Sequence, residues 1–511
     1  MTEPYTILIG LEVHVQLLTR SKLFCGCGTR FGEPPNTQTC PVCIGLPGAL
    51  PVMNRRAVRL ALRTAVALNC AIPRFTKWDR KQYFYPDLPK GYQISQYDLP
   101  LSRDGWLEIS DPKGAFAPKR VGITRAHLEE DAGKSMHDEA VGRADSRIDL
   151  NRSGMPLLEI VSEPDMRSPV EARAFLTELK LLLGYQGVSD CNMQEGSLRV
   201  DANINLHVPT PEGTAATPIV EVKNMNSFRA VERALGYEAE RQYRQWQQQG
   251  VRLGEPGGHK TTRGWDEGRQ ATYQQRAKEE SSDYRYFPDP DLLPLVVTEE
   301  EVASIRASLG ELPAALRARL EADCGITPYD ADVLVNQGRP LVDYYLAVAE
   351  ACGDGKTACN WVQQDVLRWL NEREAAIDAY PVAAGELAEL LKTVLAGELT
   401  TSRGREVLAE MVERGGERRV SGKGVGQQAV SAGEFRTAVA EAMQRLGIEK
   451  VDDTALEQLC RQLLDANPRI VEQVRGGKEK AVGSLIGQAK KHNPNVDPGR
   501  VKEICLKLIA G

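Results

Sequence analysis

The sequence predicts a protein of mixed α and β structure, with a sheet in its N-terminal half and helices towards its C-terminus. Three segments alternate polar and apolar residues with a period of two, which is typical of half-buried strands. From Glu299 to about Leu399 the apolar spacing is helical, and Trp361 and Trp369 are the expected core residues. A chain of 511 residues is long enough for about two to four domains.

The first predicted strand, residues 10–17, carries Glu12, His14 and Gln16 on one face and apolar residues on the other. Two later segments, 198–207 and 220–223, repeat this pattern. Their polar positions are Arg199, Asp201, Asn203, Asn205, His207, Glu221 and Lys223. Any one of these could be an ordinary antiparallel strand with a solvated side. Three such strands, with amides and imidazoles beside carboxylates, indicate one sheet that binds a hard cation and phosphoryl oxygens.

An acidic run at residues 129–131 lies close to Lys134 in the segment 123–138. The sequence Gly-Lys-Ser at 133–135 resembles the end of a P-loop, but Leu128 stands where that motif requires its first glycine. We therefore exclude a P-loop. The acidic run is equally consistent with a solvated turn and with a contribution to the site on the sheet.

Residues 79–98 combine tyrosine, lysine, proline and glutamine. This mixture suits a binding loop in which aromatic rings stack on a base while Lys81 or Lys90 contacts phosphate. A tyrosine-rich loop packed on the edge of a sheet explains the same composition. Both interpretations remain open from this segment alone.

Four cysteines form two close pairs, Cys25 with Cys27 and Cys40 with Cys43, joined by a polar loop. Short thiolate pairs can reach one tetrahedral ion, whose binding energy folds a loop that has no core of its own. Four unrelated thiols are the alternative, which this pairing makes less favoured. Because protein atoms would fill all four positions, we predict structural Zn²⁺ rather than a catalytic metal.

The net charge of −6 argues against a protein coated with basic residues for binding a polyanion. Residues 402–511 nevertheless hold more Lys and Arg than Asp and Glu, so a nucleic-acid contact would favour this part. The N-terminus lacks the features of a signal peptide, and no apolar run reaches a membrane-spanning length. These observations predict a cytoplasmic protein without a membrane partner.

Six motifs occur in order along the chain. They are Gly-Leu-Glu-Val-His (10–14), Tyr-Phe-Tyr-Pro-Asp (83–87), His-Leu-Glu-Glu-Asp-Ala-Gly-Lys (127–134), Gly-Ser-Leu-Arg-Val-Asp-Ala-Asn (196–203), Glu-Val-Lys-Asn-Met-Asn (221–226) and Asp-Tyr-Arg-Tyr-Phe-Pro (283–288). In these motifs the chain resembles the B subunit of the tRNA-dependent amidotransferase that corrects Glu-tRNA(Gln) and Asp-tRNA(Asn). The resemblance runs from about residue 5 to the C-terminus.

The resemblance implies an α+β protein: a mostly antiparallel-sheet cradle related to the glutamine synthetase fold, then a helical domain and a small all-α tail. It implies that the cradle uses ATP and Mg²⁺ to phosphorylate the side-chain carboxylate of the mischarged amino acid. An amidase (A) subunit would supply ammonia from glutamine, and a small C subunit would join the two large ones. The family carries the zinc quartet only in some members, which favours a stabilising role.

The resemblance also assigns candidate residues. Glu12, His14 and Glu129 are expected to bind Mg²⁺, and Glu130 and Glu221 to be further ligands or contacts to ammonia. The candidates for substrate or ATP binding are Lys81, Tyr83, Lys90, Lys134, Ser197, Arg199, Asp201, Asn203 and Lys223. Among these, Lys81, Lys134, Arg199 and Lys223 are expected at phosphates, and Asp201 and Asn203 at substrate or a second metal. The ligand among adjacent acids stays open.

The expected domains are residues 1–294, 295–401 and 402–511. Residues 228–247 are predicted to be helical, whereas the Gly- and Pro-rich composition of 250–294 by itself suggests a linker. The resemblance, through the motif that includes residues 285–288, implies that the second half of this segment is ordered and closes the cradle. An amphipathic helix at 480–491 ends in two lysines, which suits either a small bundle or docking on the tRNA elbow. A non-catalytic, zinc-stabilised scaffold that presents tRNA is the alternative function.

Overall fold

The structure is a computed structural model. It describes residues 4–137, 146–275, 284–420, 432–448, 453–492, 496 and 498–510. The chain divides into two compact units, Met1–Leu316 and Arg317–Gly511. The three-domain division with boundaries near 294 and 401 stays a prediction.

The described residues contain sixteen strands. They are β1 (Thr6–Gln16), β2 (Phe75–Thr76), β3 (Asp79–Gln82), β4 (Tyr92–Ser95), β5 (Ser102–Ile109), β6 (Lys119–Glu130), β7 (Lys134–His137), β8 (Ser146–Asp149), β9 (Pro156–Ser162), β10 (Leu198–Thr210), β11 (Gly213–Ala216), β12 (Val220–Lys223), β13 (Thr261–Asp266), β14 (Ala271–Gln274), β15 (Phe287–Pro288) and β16 (Leu295–Val296).

The same residues contain sixteen α-helices. They are α1 (Arg55–Ala67), α2 (Pro169–Tyr185), α3 (Phe228–Gln249), α4 (Glu299–Ala307), α5 (Pro313–Cys324), α6 (Pro328–Asn336), α7 (Arg339–Cys352), α8 (Gly355–Trp361), α9 (Leu367–Glu372), α10 (Ala384–Leu395), α11 (Thr401–Val420), α12 (Ala432–Arg445), α13 (Asp453–Ala466), α14 (Pro468–Arg475), α15 (Val482–His492) and α16 (Pro498–Ala510). A π-helical turn, Val362–Val366, joins α8 to α9.

The main sheet of the first unit has the strand order β14-β13-β12-β10-β1-β9-β6-β5, and β11 pairs with β10. Its pairings are antiparallel except for the parallel pair of β12 and β13. The predicted mixture of α and β structure, with a mainly antiparallel sheet and a helical C-terminal region, is confirmed. The relation to the glutamine synthetase fold stays a prediction.

The apolar face of the sheet forms the core of the first unit. Leu11, Val13 and Val15 of β1 are buried, as are Val200 and Ile204 of β10. They belong to one cluster with the apolar residues of α1, α2 and α3. Because successive side chains of a strand point to opposite faces, the polar residues between them lie on the other face of the sheet.

Each of these three helices begins at a side chain that caps its first turn. Asn54 accepts hydrogen bonds from two backbone N–H groups of α1, and Ser168 and Ser227 each accept one in α2 and α3. Such a cap stabilises a helix by about 0.5–2 kcal/mol. The predicted helix at 228–247 is confirmed as α3.

The composition of residues 250–294 is a poor guide to their structure. Strands β13 and β14 join the edge of the main sheet, so the linker suggested by composition is wrong for residues 261–274. Further on, β15 pairs with β3 in a three-stranded sheet with β4, and β16 pairs with β2. Residues 276–283, including the first residue of the sixth motif, lie outside the described residues.

The second unit is helical throughout its described residues. Trp361 is 3% exposed, which confirms it as a core residue, whereas Trp369 is only half-buried and contacts Tyr380. Residues 456–509 contain a separate apolar cluster around Cys460 and Cys505. The predicted helix at 480–491 is confirmed as α15. Within the described part of the chain, no helix is long and apolar enough to span a bilayer.

Candidate functional site

Strand register brings the three predicted polar segments together on one face of the main sheet. Glu12 lies opposite Asp201 and His14 opposite Arg199, where β1 pairs with β10. Asn203 in turn lies opposite Glu221 of β12. Directly paired residues share a face, so these side chains form one polar surface across three adjacent strands.

Two residues that were not among the predicted site residues complete this surface on the other side of β1. Glu159 of β9 lies opposite His14, and His127 of β6 lies opposite Glu159. The His127 Nε2 atom is 3.5 Å from a Glu159 oxygen, and both side chains are buried. Strand β9 is otherwise almost wholly apolar, so a single carboxylate within it was the available signal.

His14 sits between two carboxylates. Its Nδ1 atom is 3.2 Å from Glu129 Oε1, and its Nε2 atom is 3.2 Å from Glu12 Oε1. Burial alone would lower the pKa of His14, but the hydrogen bonds to Glu12 and Glu129 outweigh burial and raise this pKa to about 10. Burial would raise the pKa of Glu12, yet the hydrogen bond and charge of His14 lower it to about 2. The imidazole is therefore a cation within this cluster.

The pKa values of Glu159 and His127 shift in the opposite sense to those of Glu12 and His14. Burial, reinforced by the charges of Glu129 and Glu12, raises the pKa of Glu159 to about 8. Burial lowers the pKa of His127 to about 3, and its buried Nδ1 atom has no hydrogen-bond partner among the described residues. Ionisation of Glu159 is therefore unfavourable unless a cation binds at this site.

The geometry offers two sets of ligand atoms for a cation, and they share His14. One set is Glu12, His14 and Asp201, and the other is His14, Glu129 and Glu159; within each set the ligand atoms lie within 4.8 Å of one another. Carboxylate oxygens are the ligands that Mg²⁺ prefers. The residues present therefore fit a divalent cation. Its positive charge would replace that of the protonated His14 imidazole.

Basic groups flank these carboxylates. Arg199 donates to Asp131 at 2.8 Å, and Lys223 forms an ion pair with Asp201. The buried Asn203 Oδ1 atom has no hydrogen-bond partner in the part of the chain that the structure describes. Partly exposed cations beside a carboxylate cluster can bind the oxygens of a phosphoryl group.

Lys81, another predicted residue, lies on β3 of the three-stranded sheet, beside several tyrosine rings. The Lys81 ammonium lies 4.9 Å from the centre of the Tyr284 ring and 5.9 Å from that of Tyr83. Tyr97 and Tyr286 stack with their ring centres 4.1 Å apart. Lys81 also lowers the pKa of Glu12, as a smaller contribution than His14, so its charge reaches the carboxylate cluster.

Adjacent glutamates at the end of β6 point to opposite faces. Glu129 contacts His14, whereas Glu130 forms a buried ion pair with Lys90 and accepts a hydrogen bond from Ile94 N at 2.9 Å. Glu130 and Lys90 line a cavity of about 180 Å³ together with Cys25. Glu130 and Lys90, which were predicted separately for different roles, therefore lie together and apart from the cation cluster.

The remaining predicted residues are not part of either set of cation ligands. Lys134 is exposed on β7, and Ser197 donates to Asp190 in the turn before β10. Glu221 accepts a hydrogen bond from Thr262 Oγ1 at 3.0 Å and lies 3.4 Å from Lys260 Nζ. Their predicted roles stay predictions.

The cysteine quartet is assembled. The Sγ atoms of Cys25, Cys27, Cys40 and Cys43 all lie within 4.8 Å of one another. Cys43 is buried, and its sulfur accepts a hydrogen bond from Cys40 N at 3.2 Å. Four converging sulfurs fit a tetrahedral ion such as Zn²⁺.

Two family models match most of the chain. Residues 7–303 match the family model described as GatB/GatE catalytic domain, and residues 343–509 match the one described as GatB domain. The chain is 56% identical over 507 residues to the B subunit of the aspartyl/glutamyl-tRNA(Asn/Gln) amidotransferase from Rhodopirellula baltica, covering 99% of this chain and 97% of that protein.

Proteins with the same name from Thermosynechococcus vestitus and Moorella thermoacetica are each 46% identical to this chain. The first comparison covers 99% of this chain and 96% of the relative, and the second covers 98% of each. The six motifs therefore predicted the family correctly. This chain belongs to the family of aspartyl/glutamyl-tRNA(Asn/Gln) amidotransferase B subunits.

Proposed function

We propose that this chain is the B subunit of a tRNA-dependent amidotransferase and uses ATP to activate the side-chain carboxylate of Glu-tRNA(Gln), Asp-tRNA(Asn) or both. The observation that carries the proposal is the cluster of Glu12, His14, Glu129, Glu159 and Asp201 on one face of the sheet, flanked by basic side chains. Membership of the family supplies the reaction class.

A carboxylate is a poor electrophile, so it must gain a leaving group before an amine can displace an oxygen. In the proposed first step, a side-chain carboxylate oxygen attacks the γ-phosphorus of ATP, and ADP leaves. In the second step, ammonia attacks the resulting acyl carbon, and inorganic phosphate leaves with the former carboxylate oxygen. Amidation thus consumes one ATP for each corrected tRNA.

Glu12, Glu129, Glu159, Asp201 and His14 would hold Mg²⁺. When bound, the ion neutralises charge on the phosphoryl group and orients it. Arg199, Lys223 and Lys81 would contact phosphate oxygens from either side of the cluster. Tyr83, Tyr284 and the stacked pair of Tyr97 and Tyr286 offer ring faces to a nucleoside.

Of the two roles left open for Glu130, the geometry favours a contact to ammonia over binding to the metal. Its carboxylate points away from His14 and into the cavity that it shares with Lys90. An amidase (A) subunit would supply the ammonia, and a small C subunit would complete the complex.

Zn²⁺ bound by Cys25, Cys27, Cys40 and Cys43 would be structural, since protein sulfur fills every position. The exposed lysines at the end of α15 would contact tRNA phosphates, which would hold the mischarged tRNA without reading its sequence.

The test is ADP formation by the chain co-purified with its amidase and small partner subunits. Glu-tRNA(Gln), Asp-tRNA(Asn) and uncharged tRNA are compared, using wild type, Glu12→Gln and Glu108→Gln. Glu108 is an exposed carboxylate on β5 of the same sheet and serves as the matched control.

We expect Glu12→Gln to lower tRNA-dependent ADP formation by about 100-fold or more, the scale seen when one preorganised charge-stabilising group is lost. The Glu108→Gln complex should match wild type. The active tRNA identifies the substrate. A folded complex that binds tRNA but forms no ADP in response to it would instead support the non-catalytic, zinc-stabilised scaffold.

A further inference from the structure

Lys22 is a fully buried lysine beside the cysteine quartet. Its exposure is 0%, and its Nζ atom donates to Cys43 Sγ at 3.6 Å and to Leu150 O at 3.4 Å. Among the described residues, no carboxylate forms an ion pair with this ammonium. A buried ammonium without a counter-charge is costly, and of its two hydrogen-bond acceptors only the Cys43 sulfur can carry a negative charge.

The quartet supplies that charge when it is loaded with metal. Zn²⁺ with four thiolates carries a formal charge of about −2, because each thiolate contributes one negative charge. Cys43 is the buried member of the quartet, and its sulfur is the one that meets the ammonium. The negative charge of the loaded site is therefore buried where Lys22 can balance it.

We propose that Lys22 is the charge partner of the zinc-loaded quartet and a determinant of its metal affinity. The inference rests on the assignment of Zn²⁺ to the four cysteines under the proposed function. Lys22 contacts the quartet and not the polar face of the sheet, so it is a positioning residue rather than a catalytic one.

Lys22 also joins the quartet to a loop that reaches the polar face. Its second acceptor, Leu150 O, begins the segment 150–155, and Leu23 N donates to Gly154 O at 2.9 Å. In the same segment, Gly154 N donates to Asp131 O at 2.8 Å. Asp131 is the carboxylate that pairs with Arg199. The metal-loaded quartet thus stabilises the backbone beneath a predicted phosphate-binding arginine.

The test compares zinc binding by the full-length wild-type chain and by Lys22→Met, which keeps the length of the side chain and removes its charge. Arg20→Met is the matched control, because Arg20 is exposed two residues earlier. Zinc content is measured by elemental mass spectrometry, and zinc affinity by competition with a chromophoric chelator. Circular dichroism establishes that each chain is folded.

We expect Lys22→Met to bind zinc about 10- to 100-fold more weakly than wild type, the scale for losing a partner of a metal ligand. Arg20→Met should keep wild-type affinity. If Lys22→Met does not fold, Lys22→Arg is measured instead: affinity near that of wild type supports the charge role, and a loss of about tenfold or more overturns it.

The outcomes separate the two assignments. A wild-type chain that binds no zinc overturns the quartet as a metal site and, with it, the role of Lys22. A wild-type chain that binds zinc tightly, together with a folded Lys22→Met of equal affinity, overturns only the role of Lys22.

Discussion

His14 holds the polar face together by carrying a positive charge among carboxylates. Its pKa of about 10 lies above the value of about 6.5 expected in an unfolded chain. Protonation of His14 therefore stabilises the fold fully below about pH 6.5, and this contribution is lost as the pH rises towards 10. Glu12 acts in the opposite sense. Its pKa is lowered from 4.5 to about 2, so its ionised form contributes to the stability of the fold, and this contribution is lost as the pH falls towards 2.

We predict that the stability advantage of wild type over His14→Gln shrinks by roughly 4 kcal/mol between pH 6.5 and pH 10 when metal ions are chelated. The free energy of unfolding is measured in urea at each pH. His207→Gln, on β10 opposite Thr6 and outside the carboxylate cluster, is the control. An advantage that stays constant across this range would contradict the assigned charge of His14.

At the residue scale, the sequence identified the side chains that alternate with apolar neighbours. Glu12, His14 and Asp201 were predicted because a period of two separates a polar face from a buried one. Glu159 was missed because β9 is a central strand that reads as an apolar run, and the residues beside it come from distant segments. Neighbours across a sheet depend on strand order, which alternation does not encode.

The segment from residue 17 to residue 54 joins β1 to α1. It is fully described, and it contains none of the helices and strands named above. It is held by backbone hydrogen bonds such as Lys22 N to Cys27 O at 3.0 Å and by the convergence of four sulfurs. Because such a loop buries few apolar side chains of its own, we predict that the proposed zinc ion stabilises it.

We predict that Cys40→Ser lowers zinc content and melting temperature but retains residual activity per folded molecule. The serine removes one of four metal ligands, whereas the polar face of the sheet keeps its own contacts. Zinc content, the melting temperature and tRNA-dependent ADP formation are measured on the same preparation. Cys352→Ser, half-buried in the second unit, is the control.

A folded, zinc-free Cys40→Ser chain with no activity at all would contradict a purely structural role for the quartet. A chain that keeps its full complement of zinc would show that Cys40 is not a ligand.

At the element scale, the long strands and α3 were predictable, and the edge of the sheet was not. The Gly- and Pro-rich stretch after α3 hides β13, which pairs with β12 in parallel. A parallel pair needs a crossover connection, and here α3 and the turns after it provide one. Composition identified the turns of this connection correctly but gave no sign of the strand that follows them.

Across the whole molecule, the C-terminal residues carry a small excess of positive charge on a chain that is negative overall. Lys490 and Lys491 are exposed in the last turn of α15. Cations there complement the dipole of the helix whether or not RNA is bound. Their proposed contact with tRNA therefore needs a measurement that detects phosphate specifically.

We predict that replacing Lys490 and Lys491 with alanine raises the KM for mischarged tRNA. When the logarithm of the tRNA-binding constant is plotted against the logarithm of the salt concentration, the slope should become less steep by about one to two. The maximal rate of ADP formation should be unchanged. Lys113→Ala, an exposed lysine in a turn of the first unit, is the control. An unaltered salt dependence would exclude these lysines as phosphate contacts.

The two glutamates at the end of β6 limit how this chain can change in length. Glu129 and Glu130 serve opposite sides of the sheet, so inserting one residue just before them would exchange their directions. The strand already contains one irregularity in register, between Ile123 and Arg125. An insertion or deletion between Arg125 and Glu130 would therefore move Glu129 away from His14, so the proposed role of Glu129 predicts that related chains keep this spacing constant.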